Sequence, residues 1–167
     1  MDSNELKSLQ RPLKQRYRED ASTAIVTLEA SGAIDDQNVT CSVATGRAIV
    51  EAGLHPASGG DGTSACSGDM LLQALVACAG VTLQSVATNR GLALDGGTVR
   101  AEGDLDFRGT MGVDADAPVG FRDIRLSFEL EGEIGEDDRA ALIETTEKYC
   151  VVLQTLLNPP PVVVAVA

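Results

Sequence analysis

Four cysteines, at positions 41, 66, 78 and 150, and a single histidine, His55, are the residues of this chain best suited to nucleophilic, redox or metal chemistry. Structural zinc needs four closely grouped Cys/His ligands, and no CxxC pair occurs, so the spacing argues against a metal. His55 stands in the loop GLHPASGGDG with nothing beside it to mark a base, and it reads as a solvated loop residue. No GxSxG or other serine-nucleophile signature is present. The stretch SGGDGTS superficially resembles a phosphate-binding loop, but the Lys-Ser/Thr pair is missing and Asp61 and Asp69 would repel phosphate. Thiol chemistry remains, and its feasibility depends on where each cysteine is held.

Cys78 lies in the middle of an uncharged run from Met70 to Asn89. Leu71, Leu75, Ala79 and Val86 share one helical face, and Leu72, Val76 and Leu83 the neighbouring one. The spacing predicts a helix apolar around most of its circumference and therefore buried. Ser67 suits its N-cap, Asp69 the positive end of its dipole, and Arg90-Gly91 its C-terminal end. Gln73, Gln84, Ser85 and Thr88 interrupt the apolar run short of the roughly 18 residues of a bilayer span, which predicts the central helix of a soluble protein. A cysteine there is by default a small inert core residue.

The other cysteines sort by position. Cys66 precedes Cys78 by 12 residues, roughly 18 Å along a helix, too far for a disulfide, whose Cα atoms lie within about 7 Å. Cys41, in NVTCSV, shares a strand face with Val39 and Val43 and reads as core. Cys150 falls at helical spacing with Ile143, Thr146, Leu153 and Leu157. It alone can reach Cys78, through packing of one buried helix on another.

These elements sit in a chain of 167 residues, enough for one domain with a sizeable core, here 1–167. With no Trp and 3% aromatics, that core must be aliphatic. A net charge of −12 argues against nucleic acid or an anionic membrane as the main partner. Five of the 13 basic residues (Lys7, Arg11, Lys14, Arg16, Arg18) precede residue 19, where Leu6, Leu9, Leu13 and Tyr17 form an amphipathic stripe. Residues 1–20 are expected to form an N-terminal amphipathic helix rather than a signal or transit peptide. The cytoplasm, where thiols stay reduced, is the expected location.

Strands are expected over 23–30 and 39–45, joined by a turn containing Gly32. Val99, Ala101, Gly103, Leu105 and Phe107 alternate with Arg100, Glu102, Asp104, Asp106 and Arg108, and Ile124, Leu126, Phe128 and Leu130 alternate with Arg125, Ser127, Glu129 and Glu131. This period of two predicts an antiparallel hairpin with one buried and one solvated face. Residues 136–157 form one helix or two joined near Cys150, stopped by Pro159-Pro160-Pro161, and the terminal VVVAVA reads as a buried last strand. The order of elements makes the fold class α+β.

With CSGDMLLQALVACAGVTLQSVA and EKYCVVLQTLLN at this separation and in this strand–helix order, the chain resembles the superfamily of osmotically inducible protein C and organic hydroperoxide resistance proteins (OsmC/Ohr) over nearly its whole length. The resemblance implies an OsmC-like fold, with antiparallel sheets around a buried central helix, and an intertwined homodimer with active sites at its interface. It implies that Cys78 is the peroxidatic cysteine and Cys150 the resolving one, forming a Cys78–Cys150 disulfide. Relatives also use a glutamate at the start of the central helix and an arginine from the N-terminal strands. Here Ser67-Gly68 occupies the glutamate's place, with Asp69 next to it. Arg18 and Arg47 are the nearby arginines, and Asp69 is expected to orient one of them.

The chemistry explains why such residues are wanted. A thiolate attacks a peroxide oxygen, and burial of a thiol must be offset by a favourable neighbour for it to ionise. The sulfenic acid formed needs a resolving thiol to escape over-oxidation, and an external dithiol then reduces the disulfide. The expected activity is thiol-dependent reduction of small organic hydroperoxides, with no metal or bound redox cofactor. The alternative is a non-catalytic dimeric domain that binds a small apolar ligand.

Overall fold

The elements follow one another as α1 (Ser3–Glu19), β1 (Gly32–Ile34), β2 (Thr40–Ala44), β3 (Ile49–Gly53), β4 (Ala65–Cys66), α2 (Ser67–Arg90), β5 (Gly96–Leu105), α3 (Phe107–Thr110), β6 (Phe121–Glu131), α4 (Glu136–Tyr149) and α5 (Val151–Leu157). They are seen in a computed structural model that describes residues 2–20, 32–34, 40–44 and 49–166, the side chains of residues 9, 13, 16–18, 32–34 and 40–44 excepted. The chain gathers into two compact units. One comprises Met1–Arg16, Ala74–Arg100 and Leu126–Ala167; the other comprises Tyr17–Gln73 and Ala101–Arg125.

In the first unit, Leu75, Ala79, Leu83 and Ala87 recur every fourth residue of α2 and form its buried stripe. Leu83 and Ala87 cluster with Leu142 of α4, and Val86, Leu92, Leu94, Phe128 and Leu130 pack around them. Gly91, at φ 71°, ends α2 in the left-handed conformation, and the Leu92 N–H donates to the Ala87 carbonyl at 2.9 Å. Glycine adopts that conformation without a Cβ penalty, so the helix stops where the sequence places it.

Two expectations for α2 need correction. The helix is buried along one stripe only, since Val81 is 73% exposed. Its polar residues do not lower it below the hydropathy of a bilayer span either: it is long and apolar enough to cross a membrane by composition, with a mean hydropathy of 1.7. A core role therefore rests on the packing of its stripe, not on the interruptions.

In the second unit, a four-stranded sheet runs in the order β1-β2-β3-β4. Cys41 pairs with Ile34 on one side and Ala52 on the other, both antiparallel, whereas β3 and β4 pair in parallel, Ala52 with Ala65 and Gly53 with Cys66. The all-antiparallel expectation fails at that edge. Gly32 lies in a strand rather than a turn, and β3 has no counterpart among the expected strands; the strand expected over 23–30 lies outside the described residues. His55 is more than a solvated loop residue. Its Nδ1 accepts the Ala57 N–H at 3.0 Å, and its ring stacks on Phe107 at 5.0 Å. Phe107, expected to extend a strand, opens α3 instead because Asp106 caps that turn by accepting the Arg108 N–H at 3.1 Å.

β5 and β6 form a separate two-stranded sheet. Gly97 abuts Glu129 and Leu130, while Asp104 receives two bonds from Arg125, at 2.6 and 3.0 Å; the strands therefore run antiparallel. Ala101, Gly103, Leu105, Ile124, Leu126, Phe128 and Leu130 are half-buried as the alternation required. The C-terminal tail departs from expectation. Residues 159–166 form no strand, and Val162, Val163, Val164 and Val166 are 82–99% exposed. High β propensity makes no strand without a ladder partner, and none is paired to the tail among the described residues.

Candidate active site

The sequence TEKYCVVLQ breaks one helical run into two. α4 ends at Tyr149 and α5 begins at Val151, with Cys150 between them in an extended conformation, φ −72° and ψ 107°. Two consecutive β-branched residues follow it, and their stiff χ1 angles favour a break at this point over an uninterrupted helix. Both ends of the joint are tied. The Cys150 N–H donates to the Thr146 carbonyl at 2.8 Å and the Gln154 N–H to that of Cys150 at 2.9 Å. The Gln154 side-chain amide straps back to the Glu147 carbonyl at 2.9 Å. Leu142, Thr146 and Cys150 form the fully buried stripe of this arm. Thr146 satisfies its own hydroxyl on the Leu142 carbonyl at 2.8 Å.

Cys78 projects from α2, half-buried, and the Cys150 thiol lies within hydrogen-bonding reach of it. Both are free thiols, and their surroundings drive their acidities apart. Burial acts to raise the Cys78 pKa, but the Val152 N–H, the Cys150 thiol, the Val151 N–H and the Thr82 hydroxyl together outweigh it, leaving Cys78 below the usual cysteine value. Burial is also the main influence on Cys150. The Leu153 and Val152 N–H groups act to lower its pKa, but bonding to Cys78 and the negative charge there add to burial and leave it raised. The first proton therefore leaves Cys78, and the Cys150 thiol donates to the resulting thiolate. Such a pair can attack an electrophile through one sulfur and close a bond to the other.

The remaining expected residues are placed less closely. Asp69 is exposed in the first turn of α2. Arg18 belongs to α1 by its backbone, and neither its side chain nor any part of Arg47 falls within the described residues. Cys66, half-buried on β4, is another free thiol, and Cys41 lies in β2. Burial and four hydrogen-bonding groups, none of them a cation, are the largest influences on Cys78. Sequence reasoning missed Thr82, Val151 and Val152. Thr82 was accessible from its spacing, four residues after Cys78 on a helix; the two backbone donors become visible only when α4 and α5 are seen to break. Among the described residues, no three His, Cys, Asp or Glu side chains converge to hold a metal ion.

A family model described as OsmC-like protein matches residues 60–165, which include both cysteines and both helices that carry them. No curated protein sequence matches the chain significantly. Among solved structures, an OsmC-like protein from Mycoplasma pneumoniae superposes with a TM-score of 0.67 at 16% identity, over 80% of this chain and 89% of that one. An organic hydroperoxide resistance protein from Legionella pneumophila gives 0.62 at 16% identity, over 80% and 91%. Another, from Elizabethkingia anophelis, gives 0.63 at 16% identity, over 81% and 91%. At such identities the likeness concerns the fold.

Proposed function

We propose that this chain, which belongs to the OsmC-like protein family, is a thiol-dependent peroxidase that reduces small organic hydroperoxides through Cys78 and Cys150. The observation that carries the reading is the pair itself: an acidified, half-buried Cys78 beside a fully buried Cys150 of raised pKa. The naming of two structural neighbours as organic hydroperoxide resistance proteins supports the substrate class.

The Cys78 thiolate attacks the terminal oxygen of ROOH; the O–O bond breaks, Cys78 becomes a sulfenic acid, and the alkoxide leaves and takes a proton to give ROH. Cys150 then condenses with the sulfenic acid, releasing water and forming a disulfide. An external dithiol reduces that disulfide by exchange and is itself oxidised, which returns both thiols. The net change is ROOH and a dithiol to ROH, water and a disulfide. Leu75 and Ala79, buried on either side of Cys78 along α2, give the sulfur an apolar setting that suits an organic R group better than hydrogen peroxide.

The working form in this reading is a cytoplasmic homodimer in which the chain acts as one OsmC-like domain. The exposed Val81 and the exposed tail valines are apolar surface for a partner copy to cover. Asp69, with Arg18 or Arg47, retains a supporting role in the proposal. Reduced protein should consume cumene hydroperoxide in the presence of a dithiol, and Cys78→Ser should abolish this. Wild-type protein that leaves the hydroperoxide untouched defeats the proposal.

A further inference from the structure

Thr82 is one of five threonines that donate a hydroxyl hydrogen bond to the carbonyl four residues earlier, the others being Thr88, Thr145, Thr146 and Thr155. Back-bonding of this kind is ordinary for threonine in helices and by itself signifies nothing. The residue at the receiving end is what differs. Behind the other four stand Gln84, Ala141, Leu142 and Val151, none of which titrates; behind Thr82 stands Cys78. The Thr82 hydroxyl, 2.8 Å from the Cys78 carbonyl, is also within hydrogen-bonding reach of the Cys78 sulfur. It is half-buried, which keeps water from competing fully for it.

A hydroxyl has one proton to give. While Cys78 is a thiol, the peptide carbonyl is the stronger acceptor, and the proton points there. When Cys78 ionises and its proton passes to solvent, the anionic sulfur becomes the better acceptor. We infer that Thr82 is a hydrogen-bond donor to the reacting sulfur, its hydroxyl turning from the Cys78 carbonyl to the thiolate as the thiolate forms. The turn is a rotation about the Cβ–Oγ bond and needs no heavy atom to move. It supplies from within α2 part of the stabilisation that a cation would otherwise provide. The groups that face the same sulfur from the neighbouring arm are the backbone N–H groups of Val151 and Val152 and the titratable Cys150.

The inference deepens the peroxidase reading by adding a residue to it, but its test does not depend on turnover. Alkylation of Cys78 by iodoacetamide, followed by peptide mass analysis across pH 5–10, reports the thiolate population directly. Thr82→Val keeps the shape and removes the donor, while Thr82→Ser keeps the donor. Loss of a hydrogen bond to a charged acceptor corresponds to roughly a tenfold change in the ionisation equilibrium. Thr82→Val should therefore shift the Cys78 profile to higher pH and slow alkylation at pH 7 roughly tenfold, and Thr82→Ser should track the wild type. Thr82→Ala, measured in the same way, provides a second donor-free variant should the valine not fold. A donor-free variant with the wild-type profile, or a serine variant as slow as the valine, overturns the inference. Wild-type protein that fails to consume hydroperoxide while Thr82→Val still shifts the profile would defeat the peroxidase reading alone.

Discussion

Leu142→Ala should be among the more damaging single substitutions in the chain, and it should damage the thiol pair along with the fold. Leu142 is fully buried, clustered with Leu83 and Ala87 of α2 and ringed by side chains of the β5–β6 hairpin and the segment before it. It begins the stripe that continues through Thr146 to Cys150. Removing its isopropyl group leaves a void whose walls belong to two long helices and a sheet, which collapse poorly into it. The cost should fall in the upper part of the usual Leu→Ala range, about 3–5 kcal/mol. For a chain of 167 residues, a loss of this size lowers the thermal midpoint by roughly 10 °C. Thermal unfolding followed by circular dichroism measures this, with Glu144→Ala, an exposed position on the same helix, as the control. Because α4 seats Cys150, the variant should also form the Cys78–Cys150 disulfide more slowly after oxidation. A midpoint within about 2 °C of the control would refute the packing assigned to Leu142 and the rigidity attributed to the arm behind Cys150.

Cys78 should be alkylated before Cys150 at neutral pH, and its rate should fall as pH drops through its lowered pKa. Peptide mapping of singly labelled protein checks the order, and denaturant should erase the selectivity because it removes the hydrogen bonds that create it. Gly103→Val should destabilise the second unit by about 1–3 kcal/mol through overpacking, since a Cβ there would lie 2.5 Å from the Phe121 ring; an unchanged urea midpoint would contradict that geometry. Light scattering at micromolar concentration should report a dimer, and a stable monomer would contradict the use assigned to the exposed valines.

Much of this arrangement was legible because its causes are local. The start and stop of α2, the alternation of β5 and β6 and the joint at Cys150 all follow from periodicity, caps and glycine placement within a few residues. The elements missed depend on distant partners. β1 and β4 have three and two residues, too few for any period to show, and exist because neighbours complete their ladders. VVVAVA carries every local mark of a strand yet lies exposed, because propensity supplies no partner. Hydropathy makes α2 look buried all round because it does not say which face a single chain can cover. At the site, the two cysteines stood out by spacing and resemblance. The N–H groups of Val151 and Val152 did not, because any residue type but proline carries an N–H and only the break between α4 and α5 frees these two.

The central claim is that Cys78 and Cys150 work as one redox pair. It is tested most directly by treating reduced protein with one equivalent of cumene hydroperoxide, blocking the remaining thiols and mapping the peptides by mass. The account predicts a single Cys78–Cys150 disulfide with Cys41 and Cys66 recovered as free thiols. In Cys150→Ser, Cys78 should instead advance to the sulfinic acid as peroxide is added. A disulfide that includes Cys41 or Cys66, or four unmodified thiols after excess hydroperoxide, would contradict it.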